Sequence, residues 1–391
     1  MGASSEIILG IDLGTTFSTA AGLVDGKVHF ALDGRGEACI PSVVHFPRSG
    51  APIVGAEADR LRGTDPANTV WGIKRLIGQA CDSPAARVLN ASCAFGIVAP
   101  PGGGEAMVVA QGRQMPATEV ASLLLRHLRE RAEIRFQRRI TKAILTVPVT
   151  ATAAVKEAML RCGKMAGLEV LRTLPEPVAG ALSRGIDVSQ ATAPPFLVYD
   201  FGGGTFDATV VQREGMKLRV LAAGGDDCLG GDDFDLAFSR YVADMLYRFH
   251  YVEAPKDAIL WDRIGRQCEK VKRALSCAPS SRFYLPDAFR VREQMRALEF
   301  EVTRKQLEAP WSDLVERSVE CTKQVLADAG LMRTQVGQLL LIGGTTFVPQ
   351  VRQRVAQAFD RPLLAEEDPQ TAVARGAAML AAGKHLLAAA S

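Results

Sequence analysis

One pattern in this chain occurs twice, and it limits the possible folds more than any other feature. Residues 8–21 read ILGIDLGTTFSTAA, and residues 196–209 read FLVYDFGGGTFDAT. Each is an apolar run, an aspartate, a turn of small residues and a second β-prone run, as expected of a hairpin with a buried first strand. Asp12 and Asp200 lie 188 residues apart in a chain of 391. That spacing is too long for a solenoid repeat, and it predicts two related lobes that each present one hairpin. In the second copy Gly202, Gly203 and Gly204 stand between Asp200 and Asp207. Glycine either adopts positive φ or lets another group come close to the backbone, and such a turn can aim several N–H groups at one oxyanion. The flanking carboxylates would repel a bare phosphate but would hold a hydrated Mg²⁺. Taken alone, the stretch is equally an ordinary glycine-rich hairpin.

Other nucleotide signatures are missing. The sequence has no G-x-x-x-x-G-K-[ST] and no G-x-G-x-x-G opening a helix, so any phosphate site is expected to be a clamp of two hairpins. A net charge of +3, with no basic run interleaved with aromatics, gives no reason to expect a nucleic-acid partner. Eight scattered cysteines without a C-x-x-C pair suggest free thiols in a reducing compartment. MGASSE lacks the regions of a signal peptide, and no uncharged apolar stretch reaches membrane length. The expectation is a cytoplasmic protein, monomeric and away from membranes.

Hydrophobic patterning predicts strands at 7–13, 18–24, 27–31 and 43–46, a helix over 119–136, a strand at 142–147, a helix over 153–166 and a strand at 169–174. A short helix with Pro177 in its first turn follows, and 189–195 (SQATAPP) resembles a linker. Beyond it, strands are expected at 218–223, 282–286, 297–302 and 338–342. Helices are expected over 231–250, 258–276, 303–330 (closed by Gly330) and 370–384. Strands mixed with helices in this way give an α/β fold. In the helix 261–276, Glu269, Lys272, Arg273 and Ser276 share one face. A carboxylate and an ammonium there could bind ribose hydroxyls while a guanidinium stacks on a base. The same spacing also describes a solvated helix face. A buried strand that runs into Gly343 and Gly344 could supply the other side of a base site.

Nine segments, in this order, resemble the nucleotide-binding domain of heat shock protein 70 (DnaK-like) chaperones. They are IDLGTTFS (11–18), WGIKRLIG (71–78), TVP (146–148), AGLEVLRTLPEP (166–177), DFGGGTFD (200–207), LGGDDFD (229–235), CEKVKRALS (268–276), IGGTTFVP (342–349) and AVARGAA (372–378). The resemblance runs from about residue 6 to about residue 383. It implies an actin-like ATPase (ribonuclease H-like, duplicated) fold with two lobes around a central nucleotide cleft, here expected at 1–188 and 189–391, and no peptide-binding domain within these residues. It implies slow hydrolysis of ATP to ADP with Mg²⁺ and K⁺. Gly14, Thr15 and Thr16 would form the first phosphate loop and Gly202 to Thr205 the second. Asp12 and Asp200 would organise the hydrated Mg²⁺, with Asp207 beside them and near K⁺. Lys74 would contact the transferring phosphate and orient water, Glu176 would position metal-bound water, and Thr205 and Asp200 would assist. Thr345 and Phe347 join Gly343 and Gly344 on the base side. Pro148 would be a switch toward the partner surface, and Arg172 would lie on the face for a J-domain co-chaperone. A nucleotide exchange factor and a C-terminal substrate-binding domain complete the implied partners.

Four positions depart from the family pattern. Phe347 stands where an arginine is usual, Gln370 for aspartate, Pro175 for asparagine and Thr150 for tyrosine. The first two bear on nucleotide affinity, the last two on coupling. Two rival readings share the fold: a small-molecule kinase, for which no acceptor-site base can be identified, and a nucleotide-sensing or filament-forming module without turnover.

Overall fold

The two copies of the repeated pattern nucleate two sheets with the same strand order. The structure, a computed structural model, describes residues 6–184, 194–214, 217–365 and 368–383. In the first sheet Lys27–Phe30, Phe17–Val24 and Ile8–Asp12 run antiparallel, and Lys142–Val147 and Glu169–Pro175 continue in parallel. In the second, Lys217–Asp226, Phe206–Glu214 and Phe196–Phe201 are antiparallel, followed in parallel by Gln338–Ile342 and Leu363–Ala365. Five strands match in order and direction, as expected of a duplicated α/β fold; Ile40–Pro41, which pairs with Phe17–Val24 in the first sheet, has no counterpart in the second. The central strands are apolar up to their aspartates because helices cover both their faces: Leu9, Ile11, Leu197, Leu339 and Leu341 are completely buried.

Each sheet anchors its own core, one drawn from residues between Ile7 and Leu168 and one from residues between Leu197 and Phe359. In the second core Tyr199, Phe201, Phe206 and Phe234 make a run of edge-to-face ring contacts under the glycine hairpin. The Tyr199 hydroxyl is satisfied by Ser318 Oγ at 2.5 Å. A third core joins the halves through Ile144, Leu174, Val198, Leu340 and Ile342 together with the helices Glu176–Ser183 and Ala372–Ala381. The backbones approach closely here. A methyl added at Gly376 would lie 1.7 Å from the Ala179 carbonyl oxygen, and one at Gly10 would lie 2.2 Å from the Ala378 nitrogen. The last helix therefore returns the chain to the first sheet.

The expected helices form at Ala117–Phe136, Ala153–Met165, Glu176–Ser183, Gly231–His250, Ala258–Cys277 and Arg304–Asp328. After Arg304–Asp328, Gly330 at φ +67° lets the Leu331 N–H reach the Leu326 carbonyl, which closes that helix. The last helix is shorter than expected, at Ala372–Ala381. The two strands after Cys277 are longer, at Ser280–Val291 and Gln294–Thr303. Helices Ala56–Leu61, Pro84–Ser92 and Pro349–Phe359 and the small sheet within 96–116 have no counterpart in the sequence reading. Of the linker expected at 189–195, only Pro194 and Pro195 fall within the described residues. All eight cysteines are free thiols. Among the described residues no helix is long and apolar enough to cross a membrane.

Candidate functional site

The two hairpin turns face each other across a cleft of about 340 Å³, within the range of roughly 300–1,000 Å³ usual for small-molecule sites. Gly14, Thr15 and Thr16 line one side, and Gly202, Gly203, Gly204 and Thr205 the other. Gly202, Gly203 and Gly204 are absent from the positive-φ residues, so close approach is what requires glycine here. A methyl on Gly203 would sit 2.2 Å from Thr16 Oγ1, and one on Gly204 would sit 2.7 Å from Thr15 Cγ2. The helix Gly231–His250 buttresses the turn from behind: the Gly231 N–H donates to the Gly202 carbonyl at 3.1 Å and the Asp232 N–H to the Gly203 carbonyl at 2.7 Å. Thr345 Oγ1 donates to the same Gly202 carbonyl at 2.8 Å, and Arg75 Nη2 donates to the Gly204 carbonyl at 2.7 Å.

Asp12, the last residue of Ile8–Asp12, and Asp200, the last but one of Phe196–Phe201, meet in the cleft with Lys74 and Glu176. Lys74 Nζ lies 2.8 Å from Glu176 Oε1, a charge-assisted hydrogen bond across 102 residues of sequence. Burial pushes the Asp12 carboxyl up to about 6; Lys74 opposes that shift, Glu176 reinforces it, and Thr146 donates to Asp12 Oδ1 at 3.2 Å. Burial raises Asp200 well above the usual carboxylate range, with Glu176, Asp207 and Asp12 adding repulsion. Burial alone would lower the Lys74 ammonium, but Glu176, Asp12 and Asp200 outweigh it, and the net shift is upward. Asp207 does not line the cleft. It pairs across the strands with Asp200 on the same sheet face, and burial followed by Glu176 pushes it up to about 7.

Four mutually repelling acids around one ammonium form a donor set that suits a hard cation, which would relieve the repulsion. Among the described residues no three such side chains converge as direct ligands, so a cation here would keep water between itself and the carboxylates.

At the other end Glu269, Lys272, Arg273 and Ser276 all face the cleft, opposite Gly343, Gly344, Thr345 and Phe347. Arg273 makes an ion pair with Glu269 at 3.2 Å, and its guanidinium lies 4.6 Å over the Phe17 ring. The arginine missing at Phe347 has a neighbour in Arg352, whose guanidinium lies 5.5 Å over the Phe347 ring. Asp232, Asp235 and Cys277 also line the cleft and were not read as site residues. Lys272 Nζ donates to Asp235 Oδ2 at 2.6 Å and to the Gly231 carbonyl at 2.7 Å. The signal that could have revealed Asp232 is its place in the first turn of the helix Gly231–His250, where acids are favoured. Away from the cleft, Pro148 and Arg172 are half-buried, and Arg172 lies on Glu169–Pro175, the edge strand of the first sheet.

The chain matches the sequence profile of the family described as Hsp70 protein over residues 8–385. It is 32% identical, over 376 residues, to "Chaperone protein DnaK" of Stenotrophomonas maltophilia (strain R551-3). That similarity covers 95% of this chain but 59% of the relative, so the chain spans well under two thirds of the curated protein it matches.

Proposed function

Because the chain belongs to the Hsp70 family, we propose that this cleft binds ATP and hydrolyses it slowly to ADP and phosphate, and that the nucleotide state governs coupling to a partner or a substrate-binding domain. The observation that carries this reading is the Lys74–Glu176 pair, held at 2.8 Å between Asp12 and Asp200 where the two hairpins converge. Phosphoryl transfer asks a protein mainly to position groups and to neutralise charge spreading over the γ-phosphate oxygens. Lys74 places a fixed positive charge at that end, and Glu176 holds its ammonium in place. Thr15, Thr16 and Gly202 to Thr205 bind the phosphates, and Asp200 with Thr205 orients the attacking water. Mg²⁺, held through water by Asp12 and Asp200, would supply further charge neutralisation, with K⁺ near Asp207. Glu269 and Lys272 take the ribose, and the base lies between Arg273 and the Gly343–Phe347 turn.

On this reading the lobes are 1–188 and 189–391, the chain acts as a cytoplasmic monomer, and it works in protein folding. A J-domain co-chaperone would dock near Arg172 on the edge strand, and an exchange factor would reset the site. Single-turnover hydrolysis by the purified chain with Mg²⁺ and K⁺, beside Lys74→Ala, tests the assignment. The variant is expected to bind ATP and to lose about 10²–10³ in rate, the usual worth of one such donor. Turnover close to that of the parent would remove Lys74 from the chemistry.

A further inference from the structure

A side-chain relay that hydrolysis does not use starts behind the cleft and reaches its lining at Gln370, beside Gly344 of the base-side turn. Thr19, buried on the first hairpin, donates its hydroxyl to Cys39 Sγ at 3.9 Å, and the Cys39 thiol donates to Gln370 Oε1 at 3.8 Å. Burial, followed by the charge of Asp368, pushes the Cys39 thiol up to about 12, so it remains a donor. A carboxamide whose oxygen is engaged presents its NH₂ group. That nitrogen has no hydrogen-bond partner among the described residues, and a methyl added at Gly344, across the cleft lining, would lie 2.4 Å from it. The turn that carries Gln370 is pinned: its N–H donates to Asp368 Oδ1 at 3.2 Å, and the Pro369 carbonyl accepts from the Gly343 N–H at 3.1 Å.

We propose that Gln370, held NH₂-first by Cys39, makes this cleft tolerant of the purine 6-substituent, so that it takes guanosine as well as adenosine triphosphate. The proposal rests on the nucleotide-site reading above. Adenine offers a 6-amino donor beside the N7 acceptor, and guanine offers a 6-oxo acceptor beside the same N7. A protein acceptor at that edge would match the amino group and be left facing the oxo group, and an unmatched buried polar group is what gives strong rejection. A donor meets N7 of either base and O6 of guanine. Cys39 is a positioning residue, because it acts only through the amide it orients.

The test is calorimetric titration of Mg·ATP and Mg·GTP into the purified chain, into Gln370→Glu and into Cys39→Ala. The unmodified chain should bind the two nucleotides within about ten-fold of each other, a difference smaller than one well-formed hydrogen bond to a charged group. Gln370→Glu, which only accepts, should weaken GTP relative to ATP by about ten-fold or more. Cys39→Ala, which frees the amide to turn, should move the ratio in the same direction. ATP binding with GTP weaker by more than about ten-fold in the unmodified chain would overturn the proposal without any variant. An unchanged ratio in Gln370→Glu would overturn it equally. Failure to bind either nucleotide is a separate result: it would refute the nucleotide site itself, and this inference with it.

Discussion

Replacing Gly203 with alanine tests whether the contact between the two hairpins sets the geometry of the phosphate end. The added methyl would lie 2.2 Å from Thr16 Oγ1 and 2.7 Å from Thr16 Cβ. Rotating the Thr16 side chain moves Oγ1 but not Cβ, so the clash cannot be relieved by a rotamer. Carbon atoms pack at about 3.5–4.0 Å, and the hairpins must therefore separate by roughly 1 Å. The Gly203 carbonyl also accepts from the Asp232 N–H at 2.7 Å, so the helix behind the turn resists any retreat in that direction. A misplacement of about 1 Å typically costs near 10²-fold in rate, and overpacking of this kind costs about 1–3 kcal/mol of stability. Single-turnover hydrolysis, nucleotide affinity and thermal unfolding should be measured together, with Gly34→Ala as the control because a methyl there meets nothing within 4 Å. The expected result is a folded variant with weaker ATP binding and a rate about 10² lower, beside an unaltered control. A Gly203→Ala chain that turns over within about three-fold of the parent would refute the idea that hairpin spacing sets the site, since the predicted loss is far larger.

Other perturbations have equally definite outcomes. Gly376→Ala should cost about 1–3 kcal/mol in denaturant unfolding, because its methyl would overlap the Ala179 carbonyl of the facing helix. Lys272→Met should destabilise by about 3 kcal/mol, since it strands the buried Asp235 carboxylate, and should also weaken nucleotide binding in a fluorescence titration. Burial pushes Asp232 up to about 6 and Asp235 up to about 7. Both exceed the unfolded value, so between roughly pH 4 and 7 the folded chain holds more protons and stability falls as pH rises. The melting temperature of the nucleotide-free chain should accordingly be higher at pH 5.5 than at pH 7.5, and Asp235→Asn should reduce that difference. Removing Mg²⁺ with a chelator should suppress turnover, read by phosphate release.

The parts of the molecule that could be read from sequence are those where one residue type has one physical use. Asp25–Gly26, both at positive φ, closes the first three-stranded run as Asp-Gly closes a two-residue hairpin. Gln111–Gly112 adopts the same conformation between Met107–Ala110 and Arg113–Pro116, but glutamine carries no such preference, and that hairpin went unread. The helix Pro349–Phe359 has both a proline in its first turn and an apolar face, with Val351, Val355 and Phe359 four apart, a signal the sequence carries but the expected elements left out. In the site, the helix face of Glu269, Lys272, Arg273 and Ser276 was legible from its spacing, because one element carries all four. Asp235 was not, because its partner Lys272 lies on another helix and only folding brings them together. The glycine triplet has two possible uses in sequence, and only the structure shows that close approach is the operative one.

The return of the last helix to the first sheet has a consequence for synthesis. Gly10 is synthesised 368 residues before the Ala378 backbone that covers it. At about 5–20 residues per second this is a wait of roughly 20–70 s. Throughout that time the first sheet has one apolar face without its native cover, open to other apolar surfaces until Ala372–Ala381 is made.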